Sequence, residues 1–168
     1  MVFWQRGRGL RRIMAHPKVQ VVILAQNGKV LLLQTTTLRG AFWQNVTGSV
    51  EAGEDGRTAA ARELFEETSF TTPVRSAHYS FKFEHAAYQD PTQSEVCTEE
   101  VFYTLLSTPQ SPRLDPLEHQ NFYWKNLNEI SVKDYKFTTS WTALCQAYEV
   151  CRKEHPELTL PYCANLNG

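Results

Sequence analysis

The chain has 168 residues, 42% of them hydrophobic, enough for one well-cored domain, and a net charge of -1 that speaks against a surface generally coated with nucleic acid. No stretch has the roughly 18 consecutive apolar residues of a membrane span, and no apolar core of a secretory signal opens the chain, so a cytoplasmic protein with no membrane partner is expected. The charge is unevenly spread: Arg6, Arg8, Arg11, Arg12, Lys18, Lys29 and Arg39 all precede the first acidic residue, Glu51.

Residues 1–16, MVFWQRGRGLRRIMAH, are basic and free of acid. A nucleic-acid or membrane arm or a targeting peptide is weighed here against a plain loose extension. The extension is favoured because chain ends are commonly loose, with Met14 as an alternative start. VQVVILA at 19–25 and KVLLLQ at 29–34 read as strands buried on both faces, since their apolar runs are nearly continuous. Asn27-Gly28 between them supplies the positive φ of a hairpin turn. Phe42 and Trp43 follow, and each either stacks on a flat ligand ring or packs on the core, with core packing slightly favoured for each alone.

The most informative stretch is 48–70, GSVEAGEDGRTAAARELFEETSF. At helical spacing Glu63, Glu66 and Glu67 share one arc, while Ala60, Ala61, Leu64, Phe65 and Thr68 cover the opposite side. A solvated surface helix is the ordinary explanation. Against it, the glutamates crowd the C-terminal end and Glu63 and Glu67 form a like-charge pair, each effect costing a few tenths of a kcal/mol. A divalent cation reverses the sign of both terms. Carboxylate oxygens suit Mg²⁺ or Mn²⁺, and Mg²⁺ also takes phosphate oxygens, so the pattern points to a metal and phosphate site. Gly53 and Gly56 permit a tight loop, Asp55 is placed to cap the helix, and Arg62 is placed to pair with Glu54.

These residues resemble the Nudix hydrolase box, G-x5-E-x7-R-E-U-x-E-E-x-G-U. Gly48, Glu54, Arg62, Glu63, Leu64, Glu66, Glu67 and Phe70 occupy its positions, and Ser69 stands where the family has glycine. Left-handed backbone at Ser69 costs roughly 1 kcal/mol if the family's helix exit is kept.

Beyond the box, residues 74–84 and 101–106 read as strands, separated by a polar segment at 85–100 expected to be a loop at the substrate mouth. Glu95, Glu99 and Glu100 in that segment either join the metal site or, the favoured reading, stay exposed. Residues 107–116 form a connection and 120–126 a strand. A helix from Thr138 or Ser140 carries Trp141, Leu144, Cys145, Tyr148 and Cys151 as a core stripe. Residues 155–168 are a tail that drapes over the domain or reaches a partner. Cys97, Cys145, Cys151 and Cys163 lack C-x-x-C spacing, which argues for reduced thiols over zinc and leaves a disulfide open. His16, His78, His85, His119 and His155 are scattered and read as surface or structural residues.

Alternating strands with two convincing helices fit an α+β or α/β sandwich. The resemblance implies the Nudix-type α/β/α sandwich, a mixed sheet flanked by helices, spanning 17–154 between the extension and the tail. FWQNVTGSVEAGE at 42–54, LEHQNFYWKNLNEI at 117–130 and TTSWTALCQAYE at 138–149 are similar to the branch containing dihydroneopterin triphosphate pyrophosphatase. That likeness implies cleavage of a nucleoside or pterin triphosphate to a monophosphate and pyrophosphate. It also implies Mg²⁺, with Mn²⁺ as the alternative, on Glu63, Glu66, Glu67 and Glu118. Glu118, Glu66 and Glu67 become the catalytic candidates, with Glu118, or failing it Glu66, as base. Gly48, Glu54 and Arg62 are structural. The branch tends to carry arginines after Gln34, whereas this chain has Thr35-Thr36-Thr37, so phosphate contacts fall to Arg39, Lys18 or the basic arm, and the substrate ring to Phe42 and Trp43. A broader (d)NTP or nucleoside-diphosphate hydrolase, and a non-hydrolysing nucleotide sensor or RNA-binding module, are the alternatives. Monomer and homodimer are both compatible with the sequence.

Overall fold

A computed structural model describes residues 16–86, 94–158 and 160. The element order is β1 (His16–Ala25), β2 (Lys29–Thr35), β3 (Trp43–Gln44), β4 (Val46–Ser49), α1 (Gly56–Thr68), β5 (Arg75–Ala86), β6 (Ser94–Leu106), β7 (His119–Asn126) and α2 (Thr138–Glu154). Among the described residues these strands form one seven-stranded mixed sheet, ordered β3-β2-β1-β6-β5, with β4 paired to β1 and β7 to β2.

The sheet has helices on both faces because its central strand is apolar on both. Val19, Val21 and Ile23 of β1 join Ala59, Ala60 and Leu64 of α1 in one core, while Val22 and Leu24 join Leu144, Tyr148 and Cys151 of α2 in the other. Period-two alternation thus sends successive residues of one apolar run into two different layers. β1 runs parallel to β6 along its whole length, from His16–Cys97 to Ala25–Leu106. The expected α/β/α sandwich is the observed one.

At the first turn Ala25 pairs with Lys29, the Gly28 N–H donates to the Ala25 carbonyl at 3.0 Å, and Gly28 has φ 78°. Asn27 keeps negative φ, so this is a three-residue loop closed by one left-handed glycine, not a two-residue turn with both centres left-handed. The expected polar loop at 85–100 is shorter than its composition suggests. β6 already begins at Ser94, because Cys97 gives the acidic segment a buried position and β5 offers it a ladder, Phe83 opposite Cys97 and Phe81 opposite Glu99. Asp90-Pro91 lies outside the described residues, as do most of the basic extension and Cys163. Cys97, Cys145 and Cys151 are free thiols. Leu158 and Leu160, past the end of α2, pack against the core on the α2 side.

The edge of β1 is shared. Its last two residues pair with β2, whereas Lys18–Val21 pair with Ser49–Val46 of β4. β2 diverges there to pair with β7 and β3. The divergence opens a cleft on the α2 side of the sheet. Among the described residues no helix is long and apolar enough to cross a membrane.

Candidate active site

The N-terminus of α1 is set by Asp55, whose carboxylate accepts the Thr58 N–H at 2.7 Å, and the helix leaves through Ser69 in left-handed conformation, φ 62°. Between these stops the buried face only partly coincides with the apolar arc expected from helical spacing. Ala59, Ala60, Leu64, Glu67 and Thr68 are buried, whereas Ala61 and Phe65 are exposed. Two alanines and one leucine make too narrow an apolar stripe to cover the sheet, so the buried face extends onto Glu67.

Glu67 is 2% exposed, and neither carboxylate oxygen receives a hydrogen bond of good geometry among the described residues. Burial, then the charges of Glu118 and Glu63, push its carboxyl well above the usual range. Glu63 is half-buried and also raised, by burial first and by Glu66 and Glu118 in smaller measure, with Arg62 opposing. Its carboxylate crosses directly over Gly48 of β4: a Cβ there would stand 1.8 Å from the Glu63 Cδ. Glycine is required at this position by close approach, not by backbone twist.

Arg62 ties the preceding loop to the helix. Its Nε and Nη2 donate to the two Glu54 oxygens at 3.0 Å each, Nη2 also to the Ser49 carbonyl at 2.8 Å, and Nη1 to Glu63 at 2.8 Å and Glu66 at 3.3 Å. Glu54 in turn accepts the Glu51 N–H at 2.9 Å. The expected Arg62–Glu54 pair is therefore present, and the Arg62 bond holds the Glu54 carboxyl below its usual value. Glu66 is exposed and turned toward Arg62, apart from the buried pair.

Glu118 precedes β7, and the Thr36 N–H donates to its carbonyl at 3.0 Å, which brings residues 118 and 36 together although 82 positions separate them. Arg39, half-exposed at the end of a single 3₁₀ turn, donates to the Glu118 carboxylate at 3.2 Å. Arg39 and Glu118 thus meet close enough to Glu67 for both charges to act on its carboxyl. Among the described residues, no three His, Cys, Asp or Glu side chains already converge as closely as an ion's ligands would.

Of the other candidates, Trp43 packs against the α2-side core and Phe42 stands edge-on to Phe137, ring centroids 5.5 Å apart. Lys18 lines the cleft, a cavity of about 540 Å³ that reaches Thr47 and Gln44 and is walled by Phe81, Phe83 and Phe137.

Sequence reasoning missed three polar residues. His119 is 1% exposed, with Nε2 3.8 Å from Glu67 and 3.3 Å from the Gln44 amide. Burial, and Arg39 after it, lower its imidazole to about 4, so it stays neutral beside Glu67. Gln20 and Glu99, expected in a strand and on a surface, are both buried and hydrogen-bonded to each other. The single polar residue inside VQVVILA was the available signal for Gln20.

The NUDIX domain model matches residues 14–145. An octanoyltransferase of Myxococcus xanthus is 34% identical over 119 residues, 67% of this chain and 32% of that protein, so the chain spans about a third of that relative's length. Dihydroneopterin triphosphate diphosphatase of Haemophilus influenzae is 30% identical over 112 residues, 62% of this chain and 69% of that protein. The structure of the E. coli dihydroneopterin triphosphate pyrophosphohydrolase superposes with a TM-score of 0.67 at 27% identity, covering 77% of this chain and 92% of that one. With a box helix capped at Asp55, Arg62 locking the loop and glutamates turned onto the sheet, the chain belongs to the Nudix family.

Proposed function

We propose that this chain is a metal-dependent pyrophosphohydrolase that cleaves a nucleoside or pterin triphosphate to a monophosphate and pyrophosphate, with dihydroneopterin triphosphate as the first substrate to test. The observation that carries the reading is Glu67: a buried carboxylate with no good hydrogen bond, near Glu63 and 3.8 Å from His119, whose other neighbour Gln44 lines the cleft. A buried, unpaired carboxylate costs several kcal/mol unless a cation compensates it, so the donor set fits a hard divalent ion. Glu67 and Glu63, with Glu66 swung from Arg62 and Glu118 from above, would hold Mg²⁺ or Mn²⁺. When bound, the ion neutralises the phosphates and lowers the pKa of water.

The chain's own groups do the remaining work. Glu118 accepts the proton of the attacking water at its carboxylate oxygen while the new P–O bond forms, the bridging P–O bond breaks and pyrophosphate leaves. Arg39, 3.2 Å from Glu118, keeps that carboxylate oriented and offers the departing phosphates a cation. Arg62 and Gly48 fix Glu63, and neutral His119 keeps a second positive charge away from the ion.

The test is pyrophosphate release with Mg²⁺ from dihydroneopterin triphosphate, dGTP, dATP, ADP-ribose and a dinucleoside polyphosphate. Glu118→Gln should lose about 10² to 10⁴ in rate, as expected for removal of a general base. Unchanged turnover in Glu67→Gln would sink the metal assignment.

A further inference from the structure

Four buried polar side chains form a chain of hydrogen bonds with one direction, reaching the cleft at Gln20 and Glu99. The Tyr135 hydroxyl donates to Asn45 Oδ1 at 3.0 Å. Asn45 Nδ2 donates to Gln20 Oε1 at 2.6 Å and to the Ser140 carbonyl at 3.2 Å. Gln20 Nε2 donates to Glu99 Oε1. Because the Gln20 carbonyl is already occupied by Asn45, its amide can only donate, and Glu99 is the terminal acceptor of the series. Glu99 is 4% exposed and lines the cleft beside Lys18. It is not among the main charges acting on Glu63 or Glu67, so it stands outside the phosphate end of the site. Burial raises its carboxyl, with the Gln20 bond and then Lys18 opposing.

We propose that Glu99 selects the heterocycle of the substrate, accepting the adjacent ring N–H and exocyclic NH₂ of a 2-amino-4-oxo ring such as guanine or a pterin; this rests on the triphosphate reading above. A carboxylate offers about four acceptor positions, and Gln20 fills one, so a ligand that brings two parallel N–H donors completes a buried group that is otherwise undersatisfied. Phe81 and Phe83, successive residues of one face of β5 with ring centroids 6.0 Å apart, wall the same cleft and suit a flat ring. An adenine edge presents one donor beside a bare ring nitrogen, which would oppose its lone pair to the Glu99 oxygen. The same carboxylate that attracts the first ring therefore rejects the second.

The experiment compares kcat/KM for dGTP and dITP, which differ only in the 2-amino group, in the wild type and in Glu99→Gln, with thermal melts showing that both are folded. The wild type should prefer dGTP by at least about tenfold, the scale of a good bidentate contact, and the preference should collapse toward unity in Glu99→Gln. A wild-type ratio near one, or a ratio that survives the substitution, overturns the assignment. If the wild type hydrolyses neither nucleotide, the same comparison is made by calorimetric binding of dGMP and dIMP: a tenfold preference for dGMP, lost in Glu99→Gln, sustains the Glu99 assignment and equal affinities overturn it, while the hydrolase reading stands or falls by the pyrophosphate-release panel that includes dihydroneopterin triphosphate.

Discussion

Gly48 and Glu63 illustrate how narrow the tolerances at the candidate site are. The Glu63 carboxyl group occupies the space where any Cβ at position 48 would project, and Arg62 Nη1 holds it there at 2.8 Å. Gly48→Ala should therefore leave the fold standing, since Glu63 can swing outward, but displace a carboxylate by an ångström or more. A misplacement of that size costs about 10² in rate, so turnover should fall roughly a hundredfold with little change in melting temperature. A steady-state assay paired with a thermal melt separates that result from general destabilisation. Glu63 and Glu67 could be named from the sequence because box spacing fixes them on one helix. His119, Gln20 and Glu99 could not, because His119 meets Glu67 52 positions away and Gln20 meets Glu99 79 positions away, on other elements.

At the scale of elements, α1 ends where its sequence departs from the family pattern. Ser69 adopts φ 62°, and its N–H donates to the Phe65 carbonyl at 2.7 Å, so the helix exit is kept despite the missing glycine. Holding a residue with a Cβ in left-handed backbone costs about 1 kcal/mol, and Ser69→Gly should recover most of it. Denaturant unfolding should show a higher midpoint with an unchanged slope; a lower midpoint would mean that the serine hydroxyl compensates for the strain. The same helix shows why Ala61 and Phe65, grouped by spacing with the apolar arc, are nevertheless exposed. Helical spacing groups residues into arcs but does not say which arc turns inward, and the sheet beneath α1 is what draws Glu67 to 2% exposure while leaving Phe65 exposed.

For the whole molecule, burial of Glu67 disfavours its ionised form, so the metal-free fold loses stability wherever that carboxyl must either stay charged or take up a proton. Glu67→Gln should raise the melting temperature of the chelator-treated protein, by about 1 kcal/mol or more in stability, because the amide keeps the shape and removes the desolvated charge. Adding Mg²⁺ should raise the melting temperature of the wild type, by about 2.7 kcal/mol of stability at a hundred times its dissociation constant, and leave Glu67→Gln nearly unmoved. Equal Mg²⁺ responses in the two proteins would place the ion elsewhere.

What the sequence determined by itself was the local chemistry: strand runs apolar on both faces, a helix capped at Asp55, the Arg62–Glu54 lock and a glutamate set suited to a divalent ion. Each depends on residues within about twenty positions of one another, where helix and strand periods govern which side chains meet. Only the tertiary structure decided the rest. It brought Glu118 and Arg39 together near Glu67, gave Glu99 an inward position in a segment whose composition reads as a surface loop, and split β1 between β2 and β4 to open the cleft. Those outcomes follow from which strands become neighbours, a choice made by burying both faces of one sheet at once.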